Sequence, residues 1–127
     1  MADRHRHVVL LVDDDTDARE ALAELLRLDG YVVREASDGS TALGLLRRAP
    51  LPCVVLLDLS MPGISGWRFR ALQLQDRRIA TVPVIALSGH GGIAQQSSRL
   101  RLAGYVAKPP DLDKLLATVR QTCQLAA

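Results

Sequence analysis

Val8-Val9-Leu10-Leu11-Val12-Asp13-Asp14-Asp15 is an unbroken apolar run that stops on three carboxylates. Three further runs end in the same manner: Cys53-Val54-Val55-Leu56-Leu57 on Asp58, Val82-Pro83-Val84-Ile85-Ala86-Leu87 on Ser88, and Gly104-Tyr105-Val106-Ala107 on Lys108-Pro109. Short apolar stretches without polar alternation read as strands buried on both faces, as in a parallel sheet covered by helices. Ligands of such sheets sit beyond the carboxyl ends of the strands. Carboxylates, a hydroxyl and an ammonium are therefore expected to meet at one edge, around one phosphate-sized site.

Working outward, helical and extended patterns alternate to both ends, which predicts an α/β fold of five βα units in a single domain, 1–127, with its core at about 7–125. After the first strand, Ala18, Ala21, Leu22, Leu25 and Leu26 follow helical spacing, with Asp15 or Thr16 to cap the start and Gly30 the end. Tyr31 to Ala36 reads as a second strand, less apolar and so nearer a sheet edge. Ser37 or Asp38 opens a helix carrying Ala42, Leu45, Leu46 and Ala49, stopped by Pro50. The turn formers Ser60 to Gly66 precede a third helix expected to turn Trp67, Phe69, Ala71, Leu72 and Leu74 inward. Gly89, Gly91 and Gly92 give the fourth helix a loose start. The last helix carries Leu112, Leu115, Leu116 and Val119 at helical spacing.

A chain of 127 residues, 48% hydrophobic, can bury a real core and is not disordered. No apolar run is long enough to span a membrane, and the start has no signal-peptide pattern, so a cytoplasmic location is expected. A net charge of +2, spread along the chain, gives no basis for nucleic-acid binding. Cys53 and Cys123 lack metal-type spacing and read as two free thiols of a reducing compartment. His5 and His7 read as part of a mobile basic terminus, and Arg99 and Arg101 as a solvated helix face.

Asp13, Asp14 and Asp58 at adjacent strand ends would repel one another. Two such charges about 4 Å apart cost roughly 4 kcal/mol at an effective dielectric near 20. A divalent cation relieves this, and hard oxygen ligands around a phosphate favour Mg²⁺. Lys108 offers a fixed ammonium and Ser88 a hydroxyl donor to phosphoryl oxygens. Such a set suits a carboxylate that attacks phosphorus and becomes an aspartyl phosphate.

These stretches resemble the receiver domain of bacterial response regulators: Leu11-Val12-Asp13-Asp14, Leu57-Asp58-Leu59-Ser60-Met61-Pro62-Gly63, Ala86-Leu87-Ser88-Gly89-His90 and Gly104-Tyr105-Val106-Ala107-Lys108-Pro109. The resemblance covers essentially the whole chain. It implies a flavodoxin-like, doubly wound three-layer sandwich with strand order 2-1-3-4-5 and Asp58 as phosphoacceptor. It further implies Mg²⁺ held by Asp13 (through water), Asp14, Asp58 and the Ser60 carbonyl, with Lys108 on the phosphoryl group before a cis Pro109. Ser88 and Tyr105 would be the switch pair, moving the face of the fourth helix, fifth strand and fifth helix against a downstream protein. The donor would be a histidine kinase or phosphotransfer domain. The chain would modify itself and lose the group by hydrolysis rather than turn over a substrate, and no DNA-binding output domain is expected.

Ser65 stands where the family often has Asp before the glycine opening the third helix, and the span from Ser88 to Lys108 is roughly two residues short. Ser60 and His90 occupy places that tune phosphate lifetime in this family. Two other readings stand beside the receiver. A small aspartate-nucleophile phosphatase could use Asp13-Asp14-Asp15, although Thr16 falls one place early for that signature. A module that keeps the pocket without being phosphorylated is the other.

Overall fold

The computed structural model describes residues 7–59, 66–89, 100–108 and 110–126, with side chains as far as 124. Its elements are β1 (Val8–Val12), α1 (Thr16–Leu28), β2 (Val32–Ala36), α2 (Gly39–Leu46), β3 (Val54–Asp58), α3 (Gly66–Leu74), β4 (Val84–Ser88), β5 (Gly104–Ala107) and a C-terminal helix (Leu112–Ala126). The expected fourth helix falls mostly on 90–99, outside the described residues. The strands form one five-stranded sheet in the order β2-β1-β3-β4-β5, and every pairing is parallel. This is the flavodoxin-like order expected from the sequence.

All five residues of β1, β3 and β4 are buried, as their apolar runs require. Successive side chains point to opposite faces. Val9, Leu11, Val54, Leu56, Ile85 and Leu87 therefore pack under α1 and the C-terminal helix, against Leu22, Leu26, Leu115 and Val119. Leu10, Val12, Val55, Leu57, Val84 and Ala86 pack on the other face against Ala42, Leu46 and Phe69 of α2 and α3. β2 and β5 are the edges and carry partly exposed residues.

The caps resolve as single residues. The Asp15 carboxylate accepts from the Ala18 N–H at 3.2 Å, and the Asp38 carboxylate accepts from the Thr41 N–H at 2.7 Å. After α1, Gly30 takes φ 98, a left-handed conformation that glycine adopts without penalty.

Several expectations require correction. Trp67 is 37% exposed and Ala71 is exposed, whereas Phe69, Arg70 and Gln73 are buried. The buried stripe of α3 includes polar residues because their side chains find carbonyl partners in the interior. Arg70 donates to the Leu100 and Arg101 carbonyls at 2.9 and 2.7 Å, and Gln73 to those of Ile79 and Val82 at 2.9 and 3.0 Å. In α1 the buried residues are Leu22, Ala23 and Leu26, leaving Ala18 and Ala21 in solvent. α2 ends at Leu46 rather than reaching Ala49, and its third buried apolar side chain is Leu43. Leu112 is 47% exposed.

The largest correction concerns sulfur. Cys53 and Cys123 are not free: they form a disulfide with Cα atoms 5.1 Å apart. Strand starts and the last turns of the returning helices share one edge of a parallel sheet, which brings together residues 70 positions apart. His7 is not loose either. It is half-buried, and its carbonyl accepts from the Val32 N–H at 3.0 Å. No described helix is long and apolar enough to cross a membrane.

Candidate functional site

β1 and β3 are hydrogen-bonded neighbours with Val12 opposite Leu57, so Asp13 and Asp58 emerge side by side one residue later. Asp13 and Asp58 are buried and Asp14 is exposed at the rim, and one carboxylate oxygen from each lies within 4.8 Å of the others. The ladder between β4 and β5 continues as the Lys108 N–H donates to the Ser88 carbonyl at 3.0 Å. That bond fixes the start of the lysine side chain. Its Nζ reaches 3.2 Å from Asp58 Oδ2 and 3.7 Å from Asp13 Oδ2.

The remaining contacts hold Asp13 in place. Its Oδ1 accepts from the Asp15 N–H at 2.9 Å, and its carbonyl accepts from Arg19 Nη1 at 2.9 Å. Arg19 also pairs with Glu35 at 3.2 Å, tying α1 to β2. Asp13 Oδ2 is buried and makes no hydrogen bond among the described residues. Burial pushes the Asp13 carboxyl above its ordinary value, and neighbouring Asp58 pushes the same way. The Asp15 amide and the Lys108 ammonium pull against this rise.

Among the described residues three carboxylates face a single ammonium in this cluster, so it attracts a cation. The donor set is all oxygen and includes a buried oxygen lacking a hydrogen bond, which fits a hard divalent ion. Ser88 is buried at the end of β4, beside Ala107 in register. Tyr105 lies opposite Ala86 on β5 and is 41% exposed. Asp13, Asp14, Asp58 and Lys108 are thus brought together, with Ser88 at the neighbouring strand end. Ser60, His90 and Pro109 lie outside the described residues.

Two supporting residues escape the sequence reading. Arg19 gives only a weak signal, one helical turn beyond Asp15. Gly66 had a position but no reason. A Cβ there would sit 2.6 Å from Leu59 Cα and 2.7 Å from the Asp58 carbonyl oxygen, so α3 starts against the backbone that carries the central carboxylate. Beside the cluster, a mainly apolar groove of about 750 Å³ runs between α1 and the C-terminal helix, lined by Ala18, Ala21, Leu25, Leu28, Pro110 and Leu112.

Five parallel strands in this order, with carboxylates and a lysine at their ends, are the arrangement of the CheY-like receiver class of the flavodoxin-like fold. The family model for the response regulator receiver domain matches residues 9–120, and the chain belongs to that family. It is 38% identical over 116 residues to the positive alginate biosynthesis regulatory protein of Pseudomonas aeruginosa, covering 89% of this chain and 46% of that one. The chemotaxis protein CheY4 of Vibrio cholerae superposes with a TM-score of 0.81 at 28% identity, covering 91% of this chain and 98% of that one. The HemR receiver domain of Leptospira biflexa gives 0.81 at 27% identity, covering 92% and 94%. The chain spans from a quarter (25%) to under half (46%) of the length of the first curated relatives it matches. Phosphorylation on an aspartate, general use of Mg²⁺, a phosphodonor and downstream targets come with the family.

Proposed function

We propose that Asp58 is the phosphoacceptor of a two-component signalling receiver, drawing its phosphoryl group from a phosphohistidine on a histidine kinase or phosphotransfer domain. The observation that carries this reading is the buried Asp58 carboxylate with Lys108 Nζ at 3.2 Å and the Asp13 and Asp14 carboxylates alongside. An Asp58 oxygen attacks phosphorus and the P–N bond to the donor imidazole breaks, the imidazole leaving with the bond's electron pair and gaining a proton from solvent. Lys108 offsets charge on the transferring oxygens, and the Ser88 hydroxyl donates to one of them. Asp13, Asp14, Asp58 and the Ser60 carbonyl would hold Mg²⁺, which supplies charge neutralisation across the phosphoryl oxygens. Hydrolysis returns the free carboxylate when water attacks phosphorus and the acyl oxygen leaves.

Phosphorylation adds about 1.5 to 2 negative charges and three acceptor oxygens. Ser88 is then drawn toward the phosphate, and the outward Tyr105 ring moves into the space it leaves. The shape of β5 and its flanking helices changes for a downstream protein partner. The groove beside Lys108 gives the donor domain an apolar surface next to the reacting carboxylate.

The test is incubation with Mg²⁺ and a small phosphodonor, read by intact mass. Wild type should gain one phosphoryl group, Asp58→Asn none, and Lys108→Ala should gain it far more slowly. A wild type that stays unmodified, or an Asp58→Asn chain modified to the same extent, refutes the assignment.

A further inference from the structure

At the sheet edge opposite the carboxylates, His7 immediately precedes β1, Cys53 immediately precedes β3, and Cys123 lies in the last turns of the C-terminal helix. One ring nitrogen and the two sulfurs fall within 4.8 Å of one another. The backbone fixes this meeting: the Cys53 N–H donates to the Val8 carbonyl at 2.8 Å, and the His7 carbonyl is held by Val32. Cys123 is 1% exposed, so its sulfur points into the protein rather than into solvent.

His7 Nδ1 is buried and has no hydrogen-bond partner among the described residues. Buried polar atoms left in this state are rare and costly. A disulfide sulfur has no proton to offer such a nitrogen. A thiol has one, and a metal ion shared with two thiolates would satisfy the nitrogen outright. The orphaned atom therefore points to a second state of the cluster, in which the sulfurs are reduced. Two thiolates and an imidazole are the donor types that select Zn²⁺ over the hard ions suited to the carboxylates.

We propose that His7, Cys53 and Cys123 form a redox-gated Zn²⁺ site, separate from the phosphoryl pocket. A dithiol reductant supplies two electrons and two protons and opens the S–S bond to two thiols, itself becoming a disulfide. Zn²⁺ then displaces both thiol protons and is bound by Cys53 Sγ, Cys123 Sγ and one His7 nitrogen, with water completing the tetrahedron. A small oxidising disulfide reverses the sequence: it takes the two electrons, the protein bond re-forms, the reagent leaves as two thiols after gaining two protons from solvent, and Zn²⁺ is released. The disulfide cross-links the start of β3 to the C-terminal helix, and Zn²⁺ adds β1 to that link through His7; the open dithiol state is the one without metal.

Titration of the reduced 127-residue chain with Co²⁺ reads the site directly, since thiolate ligation gives a near-ultraviolet charge-transfer band that a carboxylate cluster does not. One equivalent should develop the band, and Zn²⁺ should displace Co²⁺ and abolish it. The oxidised wild type, Cys53→Ser and Cys123→Ser should give no band, while His7→Ala should bind at least tenfold more weakly. A cooperative thermal melt of the reduced metal-free chain, raised by Zn²⁺, separates a folded site from thiols exposed by unfolding. The proposal is overturned by a reduced wild type without the band, by a band that survives in either serine variant, by full affinity in His7→Ala, or by a band without a cooperative melt.

Discussion

Asp13 carries the electrostatic tension of the candidate site in one side chain. It is 1% exposed, it lies beside a second buried carboxylate, and one of its oxygens makes no hydrogen bond among the described residues. Burial raises its pKa from the ordinary value of 3.8, so the folded chain holds this proton more tightly than the unfolded chain does. The resulting stabilisation is complete below 3.8 and is lost as the pH climbs through the folded value. Asp13→Asn stays neutral throughout and escapes that loss. In Mg²⁺-free buffer the Tm of Asp13→Asn relative to wild type should therefore rise as the pH increases above about 4, and added Mg²⁺ should narrow the gap. A difference that stays constant with pH contradicts the assignment of strain to this carboxyl. Asp13, Asp58 and Lys108 were legible in the sequence because each directly follows an apolar run, and Asp14 because it comes next after Asp13. The pairing that Asp13 makes with Arg19 was not, since it joins a helix side chain to a backbone carbonyl.

At the level of elements, strands were easier to read than helix faces. A strand buried on both sides declares itself by composition alone, and β1, β3 and β4 do so. A helix must be read by phase, and several alanines in α1 allow the apolar stripe to be drawn one position out of place. In α3 the phase was hidden for another reason: Arg70 and Gln73 are polar by type yet interior by position, held there by the carbonyls of Leu100, Arg101, Ile79 and Val82. Gly66 shows how an element's start can govern the chemistry next to it. Gly66→Ala places a methyl 2.7 Å from the Asp58 carbonyl and 2.6 Å from Leu59 Cα, both backbone atoms that cannot swing aside. Overpacking of this kind costs about 1 to 3 kcal/mol. Denaturant unfolding should show that loss, and phosphoryl uptake from a small donor should fall with it because the strand end must shift. Unchanged stability and uptake would mean that α3 can retreat freely.

For the whole molecule, the disulfide and the Arg120–Asp29 pair act on distant parts of the chain. Arg120 binds Asp29 in a fork, with contacts of 3.0 and 2.7 Å, and joins the C-terminal helix to the end of α1. The disulfide closes a separation of 70 residues. Chain-entropy reasoning assigns a loop of that size about 4 kcal/mol of stabilisation. Reduction in the presence of a chelator should lower the unfolding free energy by roughly that amount, and Cys53→Ser should match it without reductant. A shift below about 1 kcal/mol in both would show that the reduced ends stay together through packing alone. Sequence spacing could not reveal this bridge, because two cysteines so far apart meet only once the crossovers have been laid down. The sheet order was legible by contrast, since the four motifs that flank it resemble one family in one order.

The register of β1 against β3 has a final consequence. Val12 faces Leu57 across the ladder, so the gap between the two following acids is set by backbone geometry rather than by side-chain choice. Inserting or deleting one residue within either strand would rotate one acid half a turn, to the opposite layer of the sandwich. Drift in loop length on either side leaves that spacing untouched, so the two strands work as a ruler that permits variation only outside its marks.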